Sequence, residues 1–531
     1  MPDASISPGY GTLLALAIVI VASIWLGAKA QKAVQRGTFV KGYFLGNRAL
    51  GSWTVALTAT VQSGGTFMGF PSYVYTYGWI VALWIASYMV VPLSGFGVLG
   101  KRFAQLSRRT GAITVPDLFR ERFASPAVGL TASLLIMFFL SFMMVAQFKA
   151  GAIVMKLAWP GSGAWTLAED TADAVDVAYY VGLAIFSLTV VGYTLVGGFL
   201  ASVWTDLFQS VLMFVGVVVL LLLAVPAAGG IEQATRTAVA HTAAGFAFGP
   251  GFAPDERQFL PLGLAVSYFF IWVFSGIGSP AGMVRVMACR EAATLRRSIF
   301  LLSAYNMCIY LPLVMICVAA RAVMPDLKVS DEVIPRMAVW TTRDLPGGSL
   351  VAGLILAAPF GAVMATVSSY LVVIASGLVR DVYQRFVHRT AGEAEIRRLT
   401  YAVMVVVGGI AVAANIRPVA YLQVIVVFSG TSAAASLVVP ALMTAYWPRA
   451  TAAGTLAAML SGAATVIGLF VLGALGWGDP LLGPATAFRP FYLLGLDPII
   501  WGLAASLVSG VMVSLATRPP DRDLVAKLFD A

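Results

Sequence analysis

Charge is scarce in this 531-residue chain. Only 11% of the residues are Asp, Glu, Lys or Arg, against about 25% in ordinary soluble domains, which excludes a soluble globular fold. Cysteine and histidine are rarer still, at three and two residues. Cys289, Cys308 and Cys317 all fall in or beside apolar runs, and His241 and His388 stand far apart in polar segments. A disulfide framework, a zinc site and a histidine-centred catalytic triad therefore lack their parts. There is no paired intramembrane carboxylate, no nucleophile–base motif and no phosphate-binding loop, so neither an enzyme nor an ATP-driven pump is expected. The N-terminus carries Asp3 and no basic residue ahead of the apolar run 10–28. That run reads as a retained transmembrane helix rather than a cleaved signal peptide.

Apolar residues are what the chain has in abundance, at 60%. Runs of about 20, enough to cross a hydrocarbon core, recur along its whole length. Thirteen spans are expected, at 10–28, 51–75, 79–100, 127–157, 177–196, 202–226, 260–283, 299–322, 348–378, 399–415, 419–446, 452–475 and 494–517. The net charge of +10 follows topology and implies no nucleic-acid partner. With the N-terminus outside, most basic residues fall in cytoplasmic segments, among them Lys101, Arg102, Arg108, Arg109, Arg285, Arg380, Arg385 and Arg449, while Glu169, Asp170, Asp173 and Asp176 collect outside. Lysine and arginine favour the cytoplasmic side, so the expectation is N-out and C-in. Ten-residue alternating segments of a membrane barrel are absent.

Two spans are interrupted. The second reads Thr58-Ala59-Thr60-Val61-Gln62-Ser63-Gly64-Gly65-Thr66, with Pro71 beyond, and the seventh reads Phe274-Ser275-Gly276-Ile277-Gly278-Ser279-Pro280. Glycine and proline weaken a helix by about 1 and 3 kcal/mol, and the freed backbone groups need partners that an ion or solute can supply. Broken helices at matching places in two repeats point to a transporter site. Here they lie five spans apart, as in two inverted five-helix units, about 51–226 and 260–446. The rest, 10–28, 452–475 and 494–517, is peripheral, and 1–531 forms one transmembrane transporter domain. Close helix packing by small residues is the plainer reading of each break alone. The ninth span adds a hydroxyl-rich stretch, Thr366 to Ser369, and the eleventh adds Ser429-Gly430-Thr431-Ser432. Hydroxyls can hold a hard cation or bond back to the preceding turn.

At these residues the chain resembles the sodium/solute symporter family. The resemblance runs from about 40 to 470. It is carried by Tyr43-Phe44-Leu45-Gly46-Asn47-Arg48, Gly197-Gly198-Phe199-Leu200-Ala201-Ser202-Val203-Trp204-Thr205-Asp206, Arg380-Asp381-Val382-Tyr383 and Tyr446-Trp447-Pro448-Arg449. Within the family it is most similar to sodium/pantothenate symporters, through Gly100-Lys101-Arg102-Phe103, Gln147-Phe148 and Leu356-Ala357-Ala358-Pro359. The resemblance implies an all-α LeuT-like fold, a five-plus-five inverted repeat working by alternating access in the plasma (inner) membrane. It implies a sodium site with carbonyl ligands at Ala59, Gln62 and Ala362 and a hydroxyl ligand at Thr366. The family's aspartate at the ion exit falls on Asp206, for which a helix-start carboxylate is the plainer role. A substrate-facing aromatic of some relatives falls on Trp272. Ala365 stands where a second sodium hydroxyl is expected, and Ser369, one turn on, is the compensating candidate.

Lys149 lies inside the fourth span. A buried cation is costly, and three readings stand: it replaces sodium, it pairs with a carboxylate substrate, or it snorkels to the outer headgroups. The functional expectation is cation-coupled symport of a small organic solute, with pantothenate or another carboxylate as the substrate class. Sodium is the coupling ion, a proton is the alternative, and no other cofactor is expected. The solute would bind at Ser63, Gly64, Thr66, Trp272, Ser275 and Thr431, with Lys149 beside it. The rivals are an uncoupled transporter and a transporter-like sensor acting with a separate partner.

Overall fold

The computed structural model describes residues 8–34, 52–59, 63–161, 166–167, 175–249, 258–289, 292–418, 422–484, 486 and 488–529. Apart from connections and a small antiparallel hairpin pairing Thr166–Leu167 with Val175–Asp176, these residues are helical. In chain order the helices are α1 (Tyr10–Val34), α2 (Ser52–Ala59), α3 (Phe70–Tyr77), α4 (Leu83–Pro92), α5 (Lys101–Thr110), α6 (Val115–Phe123), α7 (Pro126–Ala158), α8 (Val177–Ala227), α9 (Ile231–His241), α10 (Gly245–Phe248), α11 (Leu262–Gly278), α12 (Pro280–Met287), α13 (Ala292–Val323), α14 (Val333–Thr342), α15 (Gly348–Ser376), α16 (Glu393–Ala414), α17 (Leu422–Tyr446), α18 (Ala452–Ala474), α19 (Pro498–Ala516) and α20 (Arg522–Phe529). Three further stretches wind as π-helix: Gly65–Gly69 ahead of α3, Leu93–Gly100 after α4, and Gly377–Val387 after α15.

Among the described residues 11 helical runs are long and apolar enough to cross a membrane, or 12 if the bent pair α11–α12 counts as one. The thirteen spans expected from the sequence differ from this at Gly65–Thr110, a single run of 46 residues. At 1.5 Å per residue such a run is about 69 Å long, more than twice an ordinary hydrocarbon core. Gly78, at φ 82°, turns the chain inside it, between the spans expected at 51–75 and 79–100. Only glycine takes that conformation cheaply, and a Cβ there would collide with the Phe246 carbonyl.

Burial separates centre from periphery. The apolar windows of α17 and of the run Gly348–Val387 are 94% and 83% buried, against 28% for α1 and α19. The close approaches at the centre are made by residues without bulk. A Cβ on Gly278 of α11 would lie 2.7 Å from the Ala434 Cα of α17, and one on Gly216 of α8 would lie 2.8 Å from the Ala358 Cβ of α15. Small residues let helices approach where no hydrophobic drive between helices exists. Gly462 of α18 is a stricter case, because the atom a Cβ would meet is the Ala435 backbone carbonyl of α17, which cannot move aside. Gly462→Ala should therefore destabilise the protein by about 1–3 kcal/mol, measured by thermal unfolding in detergent. Gly468→Ala, whose Cβ meets nothing within 4 Å, should instead raise the melting temperature slightly, by the helix propensity that alanine adds.

Candidate transport site

The two interrupted helices solve their backbone problem differently. The described part of α2 ends at Ala59, residues 60–62 (Gln62 among them) lie outside the described residues, Ser63 is non-helical, and the next helical residue is Gly64. There Ser63 acts as a cap. Its Oγ accepts the Gly65 N–H at 3.1 Å, its carbonyl accepts the Thr66 N–H at 2.9 Å, and its own N–H donates to the Thr66 Oγ1 at 3.3 Å. The Gly64 N–H donates to Gln147 Oε1 of α7 at 2.7 Å, and a Cβ on Gly64 would sit 2.6 Å from Ala150. In the seventh span Ser279 is extended (φ −70°, ψ 112°), its hydroxyl caps the Gly282 N–H at 3.2 Å, and Pro280 starts α12 without an N–H to satisfy. The axis bends by 42°.

Between the breaks lies a cavity of roughly 150 Å³. Ser63 and Gly65 line it from the first break, and Trp272, Ser275 and Ser279 line it from the second. Tyr88, Asn306 and Tyr310 supply an aromatic and polar wall, and Gln423, Ser429 and Gly430 approach from α17. Trp272 stacks on Tyr88 at 5.1 Å, which stacks on Tyr310 at 3.9 Å. Of the solute residues expected from the sequence, Ser63, Trp272 and Ser275 face this cavity. Gly64 and Thr66 support it from behind, Thr66 through a 3.0 Å hydrogen bond with the Tyr310 hydroxyl. Thr431 is fully buried, and its hydroxyl donates to the Phe428 carbonyl at 3.2 Å. The residues that sequence reasoning passed over are Gln423, Asn306, Tyr88 and Tyr310, polar side chains scattered through apolar runs.

A second polar centre lies between α8, α12 and α15. Asp206 sits in the interior of α8, not at a helix start. Its Oδ2 accepts from Arg285 Nη2 of α12 at 2.7 Å, and both side chains are 2% exposed. The same Nη2 donates to Ser369 Oγ at 2.7 Å, and Arg285 Nε donates to Thr58 Oγ1 of α2 at 3.3 Å. Ser202 bridges Ser368 and Ser369 at 3.0 and 3.2 Å. Arg285, expected in a cytoplasmic loop, is thus a buried counter-ion, because α12 continues the seventh span beyond the bend. Next to it Thr366 Oγ1 donates to the Ala362 carbonyl at 2.9 Å and Ser368 Oγ to the Ala365 carbonyl at 3.0 Å.

Lys149 has a carboxylate partner within the chain: its Nζ lies 2.8 Å from Asp331 Oδ2, on the turn before α14. Asp331 also accepts the Leu422 N–H at the start of α17. Lys156 joins the same side, 2.7 Å from Asp176 and 3.3 Å from Glu332, which also holds Arg336 at 2.6 Å.

Residues 43–462 match the Sodium:solute symporter family. The chain belongs to that family. Sodium/pantothenate symporters of Haemophilus influenzae and Escherichia coli are each 30% identical to it, over 89% and 94% of this chain and 93% and 95% of those proteins. An osmoregulated proline transporter of Bacillus subtilis is 26% identical over 96% of this chain and 95% of that protein. Among solved structures, the substrate-bound, outward-open sodium-coupled sialic acid symporter shares the fold with a TM-score of 0.72 at 19% identity, covering 97% of this chain and 99% of that one. The chain is thus a sodium-coupled solute symporter with a LeuT-like helical fold and a multi-pass protein of the plasma membrane; its relatives are transporters and not enzymes.

The charge pairs of this symporter make a direct test of Lys149. Lys149→Met should cost about 3–5 kcal/mol, since it leaves Asp331 buried without its cation. Lys149→Met combined with Asp331→Leu should recover most of that loss in detergent melts. The double variant should also retain solute uptake; a stable double variant without uptake would return Lys149 to the solute.

Proposed function

We propose that this symporter carries a small carboxylate-bearing solute of the pantothenate class, driven by sodium, with the N-terminus outside and the C-terminus inside. The 30% identity to two sodium/pantothenate symporters over nearly their full lengths carries the substrate class. The solute occupies the cavity between the two helix breaks, in contact with Ser63, Trp272 and Ser275, which Gly64 and Thr66 hold in position. Thr431 acts from behind, by fixing the helix turn that presents Ser429 and Gly430.

Sodium is held by Ala59, Gln62, Ala362 and Thr366. The Ala362 carbonyl and Thr366 hydroxyl lie 2.9 Å apart on one face of α15, so an arriving ion meets two oxygens already together. Hard cations prefer such oxygen ligands. Ser369 serves Arg285 rather than standing in for the hydroxyl absent at Ala365. Asp206 and Arg285 form a neutral hinge point between the two repeats, about 51–226 and 260–446, on the inner side of the ion. Coupling requires that sodium bind one conformation better than the other, and a site shared between α2 and α15 is lost when these helices separate.

Uptake of radiolabelled pantothenate into proteoliposomes tests this reading. A sodium gradient should drive accumulation; a proton gradient alone, or none, should not. Thr366→Val should raise the sodium concentration for half-maximal uptake by at least tenfold. Proton-driven accumulation indifferent to sodium would overturn the coupling, and sodium-dependent uptake of other solutes but not pantothenate would overturn the substrate.

A further inference from the structure

Three residues that line the cavity each carry a buried polar atom without a hydrogen-bond partner: Trp272 Nε1, Ser275 Oγ and Gln423 Oε1. Such atoms are uncommon and costly, because each has left water without finding a replacement. Here they are gathered on two facing helices. Trp272 and Ser275 are three residues apart on α11 and share a face. Gln423 and Gly430 are seven apart on α17 and likewise share one. The two faces meet across the cavity, since a Cβ on Gly430 would lie 3.2 Å from Ser275 Oγ. Gln423 is 1% exposed and packs its side-chain carbonyl against Gly65 and Gly69 at the first break, in room that any larger residue would take.

The three atoms differ in kind. An indole N–H only donates, an amide oxygen only accepts, and a hydroxyl does both. A carboxylate offers nothing to Gln423 Oε1, and an ammonium offers nothing to the Trp272 N–H. A hydroxyl or a secondary amide serves both. The remaining wall adds no formal charge: among its described residues there is no Asp, Glu, Lys, Arg or His. The nearest candidate cation from the sequence, Lys149, is bonded to Asp331.

We infer that Trp272, Ser275 and Gln423 recognise a neutral hydroxyl or amide group of the solute, and that no side-chain cation of the cavity reads its carboxylate. This rests on the reading that the cavity is the solute site. Gln423 is then a specificity-determining residue, and the transported class is set by polyol or amide character and not by acidity.

The test compares an acid with its neutral counterpart. In sodium-energised proteoliposomes, unlabelled pantothenate and the corresponding primary alcohol should inhibit labelled pantothenate uptake with half-maximal concentrations within about tenfold of each other. An alcohol more than a hundredfold weaker overturns the inference, because a cation must then be reading the carboxylate. Gln423→Met and Trp272→Phe each remove one partner at similar shape. Each should raise KM at least tenfold for acid and alcohol alike, with the half-saturating sodium concentration unchanged. Unaltered KM in both correctly folded variants overturns it as well. If wild-type protein takes up no pantothenate, the substrate reading fails separately. Thermal-shift screening of acids paired with their amides or alcohols then decides the inference. Stabilisation by both members of a pair supports it, and stabilisation by acids alone overturns it.

Discussion

A backbone that stops being helical inside an apolar slab must find new partners for its N–H and C=O groups, since lipid offers none. Most of what is distinctive here follows from meeting that demand twice. At the first break the partners are the Ser63 side chain and Gln147 from α7; at the second they are the Ser279 hydroxyl and a proline that has no N–H to satisfy. Each solution uses small residues, and small residues leave space. The cavity is that space, bounded by the breaks and closed by the stacked rings of Trp272, Tyr88 and Tyr310.

Charge is distributed by the same logic. Two ion pairs are buried within the helical body, Asp206 with Arg285 and Lys149 with Asp331, while Arg122 is held by the Trp447 and Pro448 carbonyls. Burying such a pair brings little net stability, yet removing one partner is expensive. The pairs therefore act as fixed joints. Arg285 gathers α2, α8, α12 and α15 at one point, and Asp331 ties α7 to the start of α17. Both joints lie off the cavity wall, which leaves the wall uncharged.

The sequence made the breaks legible because Gly, Ser and Pro cluster there, at matching places five spans apart. It made Ser63 and Ser275 legible for the same reason, since they sit inside those clusters, whereas Trp272 stood out through the family resemblance. Gln423 was not legible: a single amide in an apolar helix gives no periodic signal, and only the packing against Gly65 and Gly69 reveals which way it faces. Arg285 was misread because hydropathy ends the seventh span near 283, whereas the bend at Ser279 carries the chain on for another two turns within the protein. Lys149 was left with three readings because its partner lies 182 residues away. Gln147 shows the reverse case. It stood out only as part of a subgroup resemblance, and the structure gives it a physical task, holding the amide of Gly64.

The glycines around the cavity have an evolutionary corollary. Beta carbons at Gly65, Gly276 and Gly430 would press on Gln423, Val91 and Ser275 respectively, so a single methyl there would both narrow the cavity and wedge helices apart. Drift toward new cargo is therefore closed at these glycines, on the broken helices and on α17 alike. It remains open on the ring wall and at Gln423, where a side chain can be exchanged without moving a backbone. Relatives carrying different cargo should accordingly have diverged ring by ring and amide by amide, around breaks that stayed as they were.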